Sequence, residues 1–287
     1  MEEQEKMNQE ENAAEEAAPA VEAVTPEVPE AAPPAEATPV PEPAAPVSAP
    51  DAPLQKKKIK GKADIVFCVD NSGSMGPCIT GIRSRVNEFI TRLENGISPN
   101  YTINIDWRAR VINYSDMEVD NDPIDATRPF VATASDLSLQ LADIQAVEGR
   151  GGDEPESAFD AMYLAMQSEW REGVRKYIIL LTDATAHPEI SSKTITDAGQ
   201  PRDLDNAILT PAANNKFIII LFGPDFELYE RLTLIPKATY VKLGTRDEAV
   251  QKFQASESDP VWENIINTIL KTVTATAAET PVWDEGS

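Results

Sequence analysis

Three aspartates and two serines stand at places in the sequence from which their side chains can converge. Asp70-Asn71-Ser72-Gly73-Ser74 closes the apolar run ADIVFCVD, and Thr182-Asp183-Ala184 closes KYIILLTD. Between them lies the glycine loop Gly149-Arg150-Gly151-Gly152-Asp153. If the apolar runs are neighbouring strands, Asp70, Ser72, Ser74, Asp153 and Asp183 fall at one edge of one sheet. Their donor atoms are all oxygen, which suits a hard cation, Mg²⁺ or Mn²⁺ ahead of Zn²⁺. Gly73, Gly151 and Gly152 let the backbone turn tightly around such an ion.

The elements that must position these residues read as alternating strands and helices. ADIVFCVD has the length of a buried strand. GPCITGIRSRVNEFITRLENG then repeats Ile79, Ile82, Val86, Phe89, Ile90 and Leu93 at helical spacing, with Gly96 as its stop. NIDWRARVINYSD predicts a long strand and RPFVATA a short one, and Asp136 is placed to cap a helix over residues 137–146. ESAFDAMYLAMQSEW is helical, and KYIILLTD and KFIIILFG are strongly apolar strands. FELYERLTLI precedes a last strand, TYVKL, and a final helix lies around PVWENIINTILKTV. This order predicts an α/β fold, a doubly wound, mostly parallel six-stranded sheet flanked by helices. In such sheets ligands sit outside the carboxyl ends of the strands, where the strand order reverses. Asp70 and Asp183 are expected there.

Charge separates tail from domain. The 287 residues carry a formal charge of −23. Twelve Glu, one Asp and a single Lys lie in residues 1–54, with eleven of the 23 prolines and no glycine or aromatic residue. Such a segment cannot bury enough apolar surface to offset its ordering entropy. The expected organisation is a disordered, acidic Pro/Ala-rich tail over 1–60 ending in the lysine-rich boundary QKKKIKGK, a domain over 61–277, and a short acidic tail over 278–287. Excess negative charge excludes nucleic acid as the natural partner. No stretch approaches the roughly 18–20 apolar residues of a membrane span. The opening MEEQEKMNQE lacks the basic-then-apolar layout of a signal peptide, so a cytoplasmic location is expected. Cys68 and Cys78 are expected as buried, reduced thiols, with a redox pair as the alternative.

Asp70-Asn71-Ser72-Gly73-Ser74 resembles the Asp-x-Ser-x-Ser signature of von Willebrand factor A domains, whose top face holds a metal-ion-dependent adhesion site. The resemblance extends through NYSD, GGDEPESAFDAM and SEWREGVRKYIILLTDATAH in the family's order, over roughly residues 62–275, and is most like bacterial and other intracellular members. It implies that Ser72 and Ser74 coordinate an ion through their hydroxyls and that Asp70 and Asp183 hold it directly or through water. One coordination position is left for a partner's oxygen, usually a carboxylate. Many members have Thr in the glycine loop where this chain has Asp153. Three carboxylates around a dication leave one net negative charge, which predicts tighter metal binding and weaker attraction for an acidic partner. The alternative is that Asp153 only caps the next helix. Glu154 and Glu156 are expected as first-turn helix residues rather than ligands. No acidic pair follows Ser74, so one metal is expected.

Rival chemistries need residues that are missing here. A haloacid-dehalogenase-type phosphatase has a second Asp two positions after the first, where this chain has Ser72. A Ser–His–Asp hydrolase needs Gly-x-Ser-x-Gly at a strand-to-helix turn, and no nucleotide-binding glycine motif is present. His187 follows the Asp183 loop, where it either structures that loop or contacts a partner. The polar segments after Asp183 and after NYSD are candidates for specificity, although a hairpin turn could leave the second remote from the ion. The expected function is divalent-metal-dependent protein binding without catalysis, as an adaptor or scaffold. A surface adhesin and a metal-dependent phosphohydrolase are the alternatives. The resemblance implies partners such as AAA+ ATPases and kinase–phosphatase or tellurite-resistance-type complexes.

Overall fold

Six strands form one sheet in the order β3-β2-β1-β4-β5-β6 in a computed structural model of the chain. They are β1 (Lys57–Asp70), β2 (Tyr101–Tyr114), β3 (Ile124–Asp125), β4 (Arg175–Leu181), β5 (Ile218–Gly223) and β6 (Thr239–Lys242). All neighbours are parallel except the short edge strand β3, which runs antiparallel to β2. The structure describes residues 57–95, 101–146, 149–152, 154–254 and 260–278. Residues 1–56 of the tail expected over 1–60, residues 279–287 of the C-terminal tail expected over 278–287, and Asp153 lie outside them.

The central strands read as continuous apolar runs because both faces of the sheet are covered. Along β1, Ile65, Phe67 and Val69 enter one core and Val66 and Cys68 the other. The same alternation sends Ile179 and Leu181 of β4 to the first core and Ile178 and Leu180 to the second. The first core is closed by α1 (Gly76–Asn95), α2 (Ala134–Ala142), α6 (Arg246–Gln254) and α7 (Pro260–Ala278). The second is closed by α3 (Ala158–Met166), by the helical stretch that includes α4 (Thr210–Asn214), and by α5 (Glu227–Arg231). Along α1, Ile79, Ile82, Val86, Phe89, Ile90 and Leu93 are all buried, the stripe that the 3.6-residue period requires. Among the described residues no helix is long and apolar enough to cross a membrane.

Several local expectations change. β1 begins at Lys57, so residues 57–62 of the lysine-rich boundary are strand backbone paired with β2 from Tyr101 onward. RPFVATA is not a strand; only Val131 bridges Ala109, and the edge strand is Ile124–Asp125. Pro129 has no N–H to give to a ladder. Phe130 turns instead to Trp170, ring centroids 5.4 Å apart, beneath the Arg108 guanidinium. Gln140 serves the stretch of β2 that β3 does not pair: its Oε1 accepts from Val111 N–H at 3.0 Å and its Nε2 donates to Pro129 O at 2.8 Å. The cap of α2 is Thr133, whose hydroxyl accepts from Asp136 N–H at 3.1 Å and donates to the Asp136 carboxylate at 2.7 Å. Asp136 is therefore the third residue of the helix, bonded by its N–H and its carboxylate to the capping hydroxyl, rather than the cap. The residues RDEAVQKFQ form α6, a mostly polar helix that buries only Ala249 and Phe253 and so shows too few apolar positions to be read from the sequence. Cys68 and Cys78 face cores on opposite sides of the sheet, which excludes a disulfide between them.

Candidate metal centre

The strand order reverses between β1 and β4, and the crevice at their carboxyl ends is where the predicted residues meet. Asp70 is the last residue of β1 and is fully buried. Its Oδ1 accepts from Ser72 N–H at 2.9 Å, which turns the chain sharply, and its Oδ2 accepts from Thr182 Oγ1 at 2.7 Å. Asp70 is thereby fixed from both of the strands that form the crevice. After that turn Ser72 Oγ lies 3.1 Å from Ser74 Oγ, and Ser74 Oγ donates to Asp183 Oδ1 at 3.2 Å. Four predicted residues, Asp70, Ser72, Ser74 and Asp183, are thus drawn together from two loops.

The glycine loop closes over them. Gly73 N–H donates to Arg150 O at 2.8 Å, and Gly151 N–H donates to Asp120 Oδ2 at 2.9 Å. Gly151 has φ +86°, and a Cβ there would stand 2.1 Å from Glu156 Oε1 and 2.8 Å from Ser72 Cβ. Only glycine lets this backbone lie against Ser72.

Glu156 corrects a sequence expectation. It precedes α3 instead of occupying its first turn, forms a parallel bridge with Ala186, and is buried. Its Oε2 has no hydrogen-bond partner. Burial, and then the charges of Asp70, Asp116, Asp120 and Asp183, push its carboxyl up to about 10. Burial and the neighbouring Asp183 push Asp70 up to about 7. Burial also raises Asp183, while Ser74 and the guanidinium of Arg246 pull it back. Several carboxyl groups therefore share one low-dielectric site, where each resists the ionisation of the next.

The second polar excursion is not remote. Ser115 Oγ donates to Asp120 Oδ2 at 2.5 Å and accepts from Arg150 Nε at 2.9 Å, tying the loop after β2 to the glycine loop. His187 Nε2 lies 2.9 Å from Asp116 Oδ1, and Ser191 Oγ donates to Glu118 Oε1 at 2.8 Å. The loops after β2 and β4 therefore meet at the same edge, and His187 is one of the joints.

The donor chemistry fits a hard dication. Asp183 Oδ2 is buried and lacks a hydrogen-bond partner, as do Glu156 Oε2 and Glu154 Oε1. Orphaned carboxylate oxygens are costly unless a cation or a proton satisfies them. Among the described residues no three His, Cys, Asp or Glu side chains form a metal cluster by themselves; the convergent set here is two carboxylates with two hydroxyls. Thr182, Glu156 and Arg246 are not among the residues that sequence reasoning selects as ligands. Thr182 adjoins Asp183 and Glu156 follows the glycine loop, so loop position alone could have pointed to them. Nothing in the local sequence points to Arg246.

A family model described as von Willebrand factor type A domain matches residues 64–253. The curated relative Alpha-protein kinase vwkA of Dictyostelium discoideum is 29% identical over 124 residues, which are 43% of this chain and 19% of that protein. The chain thus matches about a fifth of the relative's length. Among solved structures, the SpRpn10 VWA domain is 11% identical, over 70% of this chain and 96% of that one, with a TM-score of 0.45. The pilus adhesin SpaC from Lactobacillus rhamnosus GG is 16% identical, over 76% of this chain and 31% of that one, with a TM-score of 0.47. With the family model matching most of the domain, the chain belongs to the von Willebrand factor type A domain family, a fold of protein interaction and adhesion.

Proposed function

We propose that this domain binds a partner protein through a divalent cation, Mg²⁺ or Mn²⁺, and has no catalytic activity of its own. Asp70, Ser72, Ser74 and Asp183 would hold the ion, with Asp153 as a further ligand from the glycine loop. The ion would supply a point of positive charge for an oxygen of the partner, in the simplest case a carboxylate. The observation that carries this reading is the chain Ser72 Oγ, Ser74 Oγ, Asp183 Oδ1, beside an Asp183 Oδ2 that is buried without a hydrogen-bond partner. Glu156 lies against the same loop, with its carboxyl pushed up by burial and by the neighbouring acids.

The chain's own residues orient this site. Thr182 and the Ser72 backbone fix the Asp70 carboxylate, and Arg150 O holds Gly73. His187 braces Asp116, so its primary role is to join the loops after β2 and β4; its partly exposed ring is then placed to touch a partner. An AAA+ ATPase or a kinase–phosphatase-type complex suits such an adaptor. The test is capture of binding proteins with and without EDTA, repeated on Ser72→Ala. Retention that depends on the ion and disappears in the variant supports the reading; capture indifferent to both contradicts it. A phosphatase assay on wild type and Asp70→Ala covers the catalytic alternative, which metal-dependent turnover lost in the variant would establish. Asp153→Thr is expected to bind Mg²⁺ more weakly and an acidic partner group more strongly, and unchanged affinities would remove Asp153 from the site.

A further inference from the structure

Arg246 is a cation at the crevice for which the metal reading has no use. It is the first residue of α6, and its Nε lies 3.4 Å from Glu154 Oε1 and 3.6 Å from Asp183 Oδ2. Neither oxygen has a hydrogen-bond partner, so the guanidinium meets both through charge without an aligned hydrogen bond. The other oxygen of Glu154 accepts from Thr185 Oγ1 at 3.0 Å, which holds that carboxylate beside the β4 loop. Asp183 is wholly buried while the arginine side chain is 39% exposed, so the arginine can leave towards water and the aspartate cannot.

The position is unfavourable for a cation on the helix's own account. A helix N-terminus carries partial positive charge and favours acids, and Asp247 and Glu248 occupy that turn as expected. Thr245 and Glu248 cap it reciprocally, with Thr245 N–H donating to Glu248 Oε2 at 2.7 Å. This cap orients the start of α6, and what retains Arg246 over the crevice is its attraction to Asp183 and Glu154. A guanidinium remains charged at any ordinary pH, so its positive charge cannot be removed by deprotonation.

We propose that Arg246 is a resident counter-cation that competes with the divalent ion for the Asp183 carboxylate and so sets the metal affinity of the site. This rests on the metal reading above. Entry of the ion and release of Arg246 towards solvent are then one event, and the released guanidinium is left beside the ion, free to pair with an anionic group of the partner. Two like cations a few ångströms apart repel strongly in a partly buried site, which supplies the coupling.

The experiment is calorimetric titration of Mg²⁺ and Mn²⁺ alone into the EDTA-stripped full chain at fixed ionic strength, for wild type, Arg246→Gln, Arg246→Lys and Arg231→Gln. Arg246→Gln is expected to bind about tenfold more tightly or better, with Arg246→Lys in between and Arg231→Gln, which removes an equal charge on α5, unchanged. Melting temperature gives a second readout: without metal Arg246→Gln melts below wild type, and saturating Mg²⁺ narrows the gap. Equal or weaker affinity in Arg246→Gln overturns the proposal and leaves the metal reading standing. Equal tightening in Arg231→Gln overturns it too, because general charge would then account for the effect. If no variant binds either ion, the metal reading and this proposal fall together.

Discussion

Ser74 and Asp183 are 109 residues apart in sequence and are joined by a hydrogen bond of 3.2 Å, from the serine hydroxyl to Oδ1 of the carboxylate. The bond links the loop after β1 to the loop after β4 across the point where strand order reverses. It also leaves the other oxygen of Asp183 buried without a hydrogen bond, met only by the charge of Arg246. Ser74→Ala should therefore reduce Mg²⁺ affinity at least tenfold while costing only about 1 kcal/mol of stability, the worth of one hydrogen bond. Calorimetry and urea denaturation measure the two quantities separately. A Ser74→Ala chain that binds Mg²⁺ like wild type would exclude the hydroxyl as a ligand.

The raised carboxyls give the stability a definite pH dependence. Asp70 stands at about 7 in the folded chain, against an ordinary value near 3.8. A carboxyl raised in this way contributes stability that is fully present below about pH 4 and is lost as pH rises through about 7. Glu156, at about 10, extends the same loss to higher pH. Without metal, wild type should therefore lose melting temperature relative to Asp70→Asn between pH 5 and 8. Added Mg²⁺ should reverse this trend, because the ion favours the ionised carboxylate and must displace its proton at lower pH. A metal-free wild type that holds or gains melting temperature relative to Asp70→Asn as pH rises over that range contradicts the raised carboxyl at Asp70.

Two glycines with the same backbone sign should respond differently to alanine. Gly149 has φ +78° and open space where a methyl group would stand, whereas Gly151 has φ +86° and Glu156 Oε1 at 2.1 Å from the corresponding position. Gly149→Ala should cost roughly 1–2 kcal/mol from left-handed backbone alone. Gly151→Ala should cost more than Gly149→Ala and should also weaken metal binding, because Ser72 and Glu156 would be pushed aside. Equal losses in urea denaturation would mean that the close approach of the loop to Ser72 carries no weight.

How much of this was legible in sequence depends on the range of the interaction. The strands were legible because burial on both faces turns each into an unbroken apolar run, as in residues 177–181 and 217–222. The chemistry of Asp70, Ser72, Ser74 and Asp183 was legible because each sits directly after such a run. RPFVATA misled because its apolar residues pack as single side chains, Phe130 on Trp170, without forming a ladder. Glu156 misled because an acid before a helix ordinarily serves the helix dipole, whereas here the fold turns it under Gly151. Arg246 was invisible because its partners, Asp183 and Glu154, are brought to it only by the packing of α6.

Asp64 offers a control farther back along the same strand. It is fully buried six residues before Asp70, about 20 Å away along an extended strand. Arg108 reaches it through Nη2 at 2.6 Å and Nε at 3.1 Å, and Arg171 through Nε at 2.8 Å and its backbone N–H at 2.9 Å. Removing one member of a buried ion network typically costs about 3–5 kcal/mol. Asp64→Ala should lower stability by an amount in that range and leave the Mg²⁺ affinity of the remaining folded chain unchanged. A shift in affinity as large as that of Ser74→Ala would mean that the middle of β1 is coupled to its carboxyl end.

The most direct measurement is a calorimetric titration of Mn²⁺ into EDTA-stripped wild type and Asp183→Asn, since Asp183 supplies both the oxygen bonded to Ser74 and the buried oxygen that has no hydrogen bond. Saturable binding of one ion per chain is expected in wild type, and its loss in a folded Asp183→Asn. No saturable binding in wild type, or equal binding in both, would contradict a metal centre built on Asp183.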